Sequence, residues 1–293
     1  MSLENLARTL EGSGAYRVLR RLRPHWLEAM PEGRRVRKGL FLDLETTGLD
    51  AALDEIIEIG MVPFAYTLDG GLIGVLPAFS RLREPSVPVP QRVTELTGLT
   101  QEQLAGHSIT PEEVADFAAD ASLIIAHNAA FDRPFIEAFC PAFAEKPWAC
   151  SMADVPWDSA GFEGRKLGYL AMQAGFFFDG HRAADDCLAS LALLGYSGFP
   201  EGRTALSFLL DRARAVWGRI WATQAPFESK ETLKARGYRW NDGMDGRPKA
   251  WFIDLPPEKR EEEEAFLRDE IYRRDVELTV STIKATDRFT SRV

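Results

Sequence analysis

The run Gly39-Leu40-Phe41-Leu42-Asp43-Leu44-Glu45 sets the first limit on how this chain folds. It reads as a β-strand whose leucines alternate and face one side, because successive side chains of a strand point to opposite faces. Asp43 and Glu45 then share the other face, about 6.6 Å apart at ~3.3 Å per residue. Two carboxylates that close repel, and each is costly on a half-buried strand unless a cation lies beside it. Thr46-Thr47-Gly48 follows and ends the strand with exposed backbone N–H groups. Alone, such a pair is weak evidence, since a solvated strand edge explains it more often than a metal site.

The neighbouring segments give that strand a setting. Residues 4–30 carry spaced leucines and predict helix, broken into two pieces near Gly12 and Gly14. Strands are expected at 56–63 and 71–81, joined by the turn Leu68-Asp69-Gly70-Gly71. Short helices follow at 92–96 and 111–120, a buried strand at 122–126 and a helix at 131–139. A strand at 148–156 and helices at 166–174 and 182–195 complete the first part. This β-β-β-α-β-α-β-α order predicts an α/β fold, a mixed sheet covered by helices. After the loop at 195–202 a second unit is expected, with helices at 203–216, 227–236 and 258–274. Its strands are expected at 219–223, in a hairpin over 238–255, and at 276–283, a small α+β arrangement. The reading is therefore an N-terminal helical and basic segment (1–38), a main domain (39–198) and an accessory domain (203–293).

Apolar and charged residues occur in proportions ordinary for a soluble globular protein. No stretch approaches the ~18 apolar residues of a membrane span, and the first residues lack the apolar core of a signal peptide. Cys140, Cys150 and Cys187 have no CxxC spacing and read as small buried residues in a reducing compartment, so the cytoplasm is the expected location. A net charge of −9 disfavours polyanions at long range. It does not exclude them as substrates, since bound cations neutralise a carboxylate site and a formal count ignores those ions. The tail beyond residue 203 is nearly balanced, so the acidity lies in the first 200 residues. Arg17, Arg20, Arg21, Arg23, Arg34, Arg35, Arg37 and Lys38 crowd the first forty, as a solvated face or as a guide for a charged strand. His25 and His107 have no partners in any motif.

Two further segments carry acids where chemistry can use them. In Ala126-His127-Asn128-Ala129-Ala130-Phe131-Asp132-Arg133-Pro134, Asn128 suits a helix N-cap and Pro134 a first turn. Asp132 then sits where a helix dipole favours a carboxylate, which is reason enough for an acid there. His181-Arg182-Ala183-Ala184-Asp185-Asp186 opens an Ala/Leu-rich helix. In a continuous helix His181 and Asp186 diverge by about 140°. They meet at one site only if His181 lies in the loop before the first turn, and Asp179-Gly180 makes such a loop. A mobile histidine of ordinary pKa near ~6.5 suits a proton acceptor, and a structural histidine fits the same position.

Taken in order, Asp43-Leu44-Glu45-Thr46-Thr47-Gly48-Leu49, His127 to Asp132 and His181 to Asp186 resemble the DEDDh family of 3′–5′ exonucleases. That family includes the proofreading epsilon subunit of bacterial DNA polymerase III. The resemblance covers residues 39–198 and extends to Ile56-Ile57-Glu58-Ile59-Gly60 and Leu96-Thr97-Gly98-Leu99-Thr100. It implies a ribonuclease H-like, mixed five-stranded sheet flanked by helices. The family's four acids fall on Asp43, Glu45, Asp132 and Asp186, and its histidine on His181. Asp185 stands at the wrong distance and is left to solvent or a cap. Cys150-Ser151-Met152 has serine where many relatives have threonine.

The resemblance implies two divalent cations, and an all-carboxylate set selects Mg²⁺ or Mn²⁺ over zinc. Asp43 is expected to bridge both ions, Glu45 and Asp186 to complete the site of the attacking water, and Asp132 to hold the second ion. His181 is expected to take the proton. Leu44, Thr46, His127 and Asn128 are the expected contacts to the terminal nucleotide. The implied partner is nucleic acid with a free 3′ end, DNA favoured, together with a polymerase or repair protein docked through the tail, and no membrane. An RNA-trimming relative shares every motif, because selection for the 2′-hydroxyl lies in pocket shape. A non-catalytic adaptor is expected to have lost a ligand, and none is missing. In the tail, Trp221, Trp240 and Trp251 beside Lys230, Lys234 and Arg236 fit either a stacking surface or a small core, and Leu267 and Ile271 a buried helix stripe.

Overall fold

Ser2 starts the first helix, α1 (Leu3–Gly12), by accepting the Asn5 N–H on its hydroxyl at 3.2 Å. The structure, a computed structural model, describes residues 2–33 and 35–290; Arg34 of the basic cluster lies outside them. The helix expected to resume before residue 30 does not form. The chain instead runs extended, and β1 (Arg20–Arg21) pairs in parallel with Phe176 and Phe177. Past Gly14 no apolar stripe rewards a helix, whereas Arg20 and Leu22 find backbone acceptors on Gly175 (3.0 Å) and Phe177 (2.9 Å). Part of the basic cluster is engaged in ion pairs. Arg20 pairs with Glu4 and Glu11, Arg21 with Asp179 and Lys38 with Asp120.

β2 (Val36–Thr46) and β3 (Ile56–Thr67) form the long antiparallel centre of the main sheet, with Asp43 opposite Gly60 and Glu45 opposite Glu58. The next strand, expected whole over 71–81, is two pieces, β4 (Leu72–Val75) and β5 (Phe79–Leu82), both paired with β3. Pro77 between them has no N–H to give a ladder, which is why the strand splits. Then come α2 (Gln91–Thr97), α3 (Gln101–Leu104) and α4 (Pro111–Ala118). The last two start with capping boxes, Thr100 with Gln103 and Thr110 with Glu113.

β6 (Ile124–Ala126) lies parallel to β2, and α5 (Ala129–Phe139) follows it. Pro134 is inside α5 rather than in its first turn, and Asn128 is its N-cap without a side-chain bond, at φ 92°. β7 (Trp148–Cys150) lies parallel to β6. It is shorter than expected because Asp154 accepts the Cys150 N–H at 2.8 Å and turns the chain. α6 (Leu167–Ala174), β8 (Phe176–Phe177) and α7 (Ala183–Leu194) complete this part. The sheet order β4-β3-β2-β6-β7, with β5 beside β3 and only β3 running against its neighbours, is the ribonuclease H-like arrangement.

Leu40, Leu42 and Leu44 point from β2 into a core shared with Val114 of α4 and Phe135 and Ile136 of α5. Each such side chain contributes about 1.5–3 kcal/mol on burial. The opposite face of β2 and β3, which carries Asp43, Glu45, Glu58 and Gly60, receives α7. A β-carbon on Gly60 would stand 2.4 Å from the Ala183 carbonyl carbon, so only glycine lets α7 start there.

The described residues divide into two compact units, one up to residue 211 with 289–290, and one of residues 212–288. The dividing point falls inside α8 (Ala205–Arg214). The second unit contains β9 (Trp217–Ala222), α9 (Lys230–Ala235), β10 (Arg239–Asn241), β11 (Ala250–Leu255), α10 (Pro257–Phe266) and β12 (Thr279–Ile283). Its antiparallel sheet has the order β10-β11-β9-β12. Ile220, Leu233, Tyr238, Ile253, Leu267 and Ile271 make its core, the last two as the expected stripe. Trp221 is also buried, while Trp240 is half exposed and packs at a tilt of 60° against Trp251. Glu264 pairs with Arg260 and Arg268. Glu270 and Arg274, four apart, form no ion pair among the described residues, since Arg273 turns left-handed (φ 52°) and puts Arg274 beyond the helix.

Candidate active site

β2, α5 and α7 bring the expected acids to one cleft of about 630 Å³, lined by Asp43, Glu45, Asp132, His181 and Asp186 among others. The C-terminal ends of the parallel strands β2 and β6 lie at this place, and two helices start there. Asp132 and Asp186 ride in the first turns of α5 and α7, where partial positive charge from free N–H groups offsets theirs.

His181 lies in the loop before α7, in the left-handed region at φ 64°. Its backbone N–H donates to Asp186 Oδ2 at 3.0 Å, which folds the loop back over the helix start. The ring is thereby brought to the carboxylates: a nitrogen of His181 and oxygens of Glu45 and Asp186 all lie within 4.8 Å of one another. Asp132, 2% exposed, accepts the Leu44 N–H on Oδ1 at 3.2 Å and so ties α5 to β2.

This packing is electrostatically expensive. Burial lifts Asp43 well above the usual carboxylate range, and the charges of Asp132, Asp186, Glu45 and Glu58 lift it further. Burial likewise raises Asp132 despite the Leu44 hydrogen bond. Glu45 is pushed to about 8 by burial and by Asp186 and Glu58, with Arg182 opposing. Asp186 reaches about 7, through burial first, although the His181 N–H draws it down. Four oxygen-donor side chains that disfavour their own ionised forms fit a hard divalent cation, whose charge would favour the ionised form and so offset each shift. The glutamate, histidine and aspartate group is a candidate part of such a site.

Glu58 had no role assigned from the sequence. It is 1% exposed, directly across from Glu45, and accepts from Arg182 Nη2 (3.1 Å), Arg182 Nε (3.3 Å) and the Ala183 N–H (3.3 Å). It therefore anchors the start of α7 and, through it, His181 and Asp186. The signal was a lone acid inside the apolar run Ile56-Ile57-Glu58-Ile59, where a carboxylate needs a partner.

The four expected nucleotide contacts are placed differently from one another. Asn128 is exposed and borders both this cleft and an adjoining hollow of about 590 Å³ near Leu49, Leu96 and Phe131. Leu44 borders both as well, but its side chain is in the core and its N–H is taken by Asp132. Thr46 lines the second hollow while its hydroxyl donates to the Gly48 carbonyl. His127 is held from both sides, by Ser151 Oγ on Nδ1 and by the Arg165 carbonyl on Nε2, each at 2.8 Å. A carbonyl only accepts, so Nε2 carries the proton and Nδ1 takes the serine hydroxyl in the neutral ring. Burial lowers the His127 pKa in keeping with that form.

The exonuclease family model RNase T matches residues 40–194. A DNA polymerase III PolC-type protein of Clostridium perfringens is 33% identical over 161 residues, which is 53% of this chain and 11% of that protein. The DNA polymerase III subunit epsilon of Treponema pallidum is 32% identical over 160 residues, 52% of this chain and 72% of that one. This chain thus spans only about a tenth of the PolC-type relative's length. Among solved structures, exonuclease X in complex with 5′ overhanging duplex DNA matches with 23% identity and a TM-score of 0.42, over 58% of this chain and 98% of that one. Motif positions, strand order and a family match over more than half of its length agree that this chain belongs to the RNase T exonuclease family, as a nuclease of the DEDDh type.

Proposed function

We propose that this protein is a metal-dependent 3′–5′ exonuclease that trims DNA at single-stranded, frayed or mismatched 3′ ends and releases 5′-mononucleotides. The observation that carries the proposal is the meeting of His181 with Glu45 and Asp186 within 4.8 Å, in the cleft that also holds Asp43 and Asp132. Asp43, Glu45, Asp132 and Asp186 would hold two Mg²⁺ or Mn²⁺ ions. Bound there, such ions supply charge neutralisation for the phosphodiester and a more acidic water. His181, exposed at the cleft edge and held by its own backbone bond to Asp186, takes the proton from the attacking water. Asn128, exposed between the two hollows, contacts the terminal nucleotide. A DNA substrate and a polymerase partner are supported by the names of the relatives, both DNA polymerase III proteins. A soluble, cytoplasmic setting is part of the same reading, and among the described residues no helix is long and apolar enough to cross a membrane.

The test is a time course on 5′-labelled single-stranded DNA, mismatched duplex and short RNA with Mg²⁺. The expected product is a ladder that shortens from the 3′ end, arrested by a blocked 3′ terminus and faster on DNA. Asp43→Asn and Asp186→Asn are expected to lower the rate at least ~100-fold. A ladder independent of divalent cation, or indifferent to both substitutions, would refute the assignment.

A further inference from the structure

We propose that Arg165 and Lys166 hold the sugar-phosphate backbone of the strand whose 3′ end lies on the carboxylates, a role that rests on the nuclease reading above. The cleft is lined by four acids, and a polyanion entering it meets their repulsion. Arg165 and Lys166 are the arginine and lysine in its lining. Both are exposed, and neither has an ion-pair partner among the described residues. Some arginines elsewhere in this unit are matched to acids, as Arg83 is to Glu55 and Arg182 to Glu58. The nearest acid in sequence, Glu163, accepts the Tyr169 hydroxyl at 3.1 Å.

Their position has no benefit for the helix that follows. They immediately precede α6, and cations at a helix start are disfavoured by about 0.3–1 kcal/mol. The loop that presents them is nevertheless tied down. His127 Nε2–H donates to the Arg165 carbonyl, Gln173 Oε1 accepts the Glu163 N–H at 2.9 Å, and Gln173 Nε2 donates to the Glu163 carbonyl at 3.0 Å. His127 thus acts as a positioning residue: it joins the end of β6 to the cation-bearing loop across the cleft. Two unpaired cations at a fixed place facing a row of acids suit a phosphate chain with no demand for sequence, since backbone contacts set register and carry no base information.

The test uses the full chain, Mg²⁺, and a fluorescein-labelled oligothymidylate of about 12 nucleotides whose 3′ linkages are phosphorothioate to slow cleavage. Binding is followed by anisotropy from roughly 50 to 200 mM KCl, where each phosphate contact on a single strand contributes a slope of about 0.7 in log Kd against log salt. Arg165→Gln with Lys166→Gln is expected to weaken binding about tenfold at the lowest salt and to lower the slope by about 1.4. Arg165→Lys with Lys166→Arg is expected to restore both values. In parallel, cleavage of the unmodified oligonucleotide is expected to show the loss in KM, with kcat within about twofold. An unchanged slope, a loss confined to kcat, or no binding by the unaltered protein overturns the proposal. Binding with the expected slope change but no cleavage upholds the clamp and sinks the exonuclease reading.

Discussion

Glu45 and Asp186 have their ionised forms disfavoured by burial, and the sign of that effect fixes how the protein responds to pH. Their folded values, about 8 and about 7, lie above the ordinary carboxylate range. The stability they contribute is therefore complete below about pH 4 and lost as pH rises through 7 and 8. In chelator the melting temperature is expected to fall between pH 5.5 and 8.5, a loss on the order of a few kcal/mol. Mg²⁺ is expected to restore more at the higher pH, and Glu45→Gln to flatten the metal-free profile. Scanning fluorimetry at the two pH values decides it, and a chelated melting temperature that ignores pH over this span sinks the account. His181 has a different signature. His181→Ala is expected to lower kcat by about 10²–10⁴ while the Mg²⁺-induced rise in melting temperature persists, because the four acids remain. If that rise vanished as well, the histidine would be holding metal rather than a proton. Asp43 and Glu45 were legible in the sequence because period-two alternation assigns a face without any tertiary knowledge. His127 was legible only as a polar residue after a strand. That its nitrogens are both occupied depends on Ser151 and Arg165, which reach it only in the folded chain.

At the scale of elements, the start of α7 is where sequence reading was both most useful and least complete. Helical periodicity required His181 to leave the helix, and it does, at φ 64°. What holds it there is not local. Glu58 on β3 accepts Arg182 and the Ala183 N–H, and Gly60 two residues on leaves room for the helix backbone. Strand pairing fixes that combination, and neither partner's neighbourhood announces it. Glu58→Gln keeps the shape but weakens the charge-assisted bonds, worth about 1.5–3 kcal/mol. It is expected to reduce kcat more than it raises KM, through a His181 loop less firmly held, and to lower the pH at which Glu45 ionises by removing one neighbouring charge. A pH–rate profile reads both effects; a uniform loss of stability with an unmoved profile would leave Glu58 a structural residue only. Strand lengths were misread where a single side chain intervenes, Pro77 splitting one strand and Asp154 ending another. The extended segment around β1 could not be foreseen, since its partner β8 lies some 155 residues away in sequence and is itself only two residues long.

The whole molecule is two units with separate cores, one around Leu40, Leu42 and Leu44 and the other around Ile220, Leu233 and Ile253. The second core is reinforced on the other face of its sheet by Arg219, which grips Asp254 through Nε at 2.6 Å and Nη2 at 2.9 Å and lies over the Phe252 ring. Those aromatics and bases satisfy one another, so the tail holds its shape from its own contacts and without the acids of the cleft. A ligand that binds one folded unit stabilises that unit by mass action, by about 2.7 kcal/mol at a hundred times its Kd. Mg²⁺ is therefore expected to slow amide exchange in β2, β6 and the start of α7, and to leave β9 and β11 unchanged. Arg219→Ala is expected to do the reverse, speeding exchange in β9 and β11 while the cleft strands keep their protection and the trimming of short DNA keeps its kcat. Hydrogen exchange followed by mass spectrometry resolves the two sets of peptides in a single run. If Mg²⁺ protected both units equally, the second could not be an independently stabilised accessory, and the acids of the cleft would be controlling the fold of the entire chain.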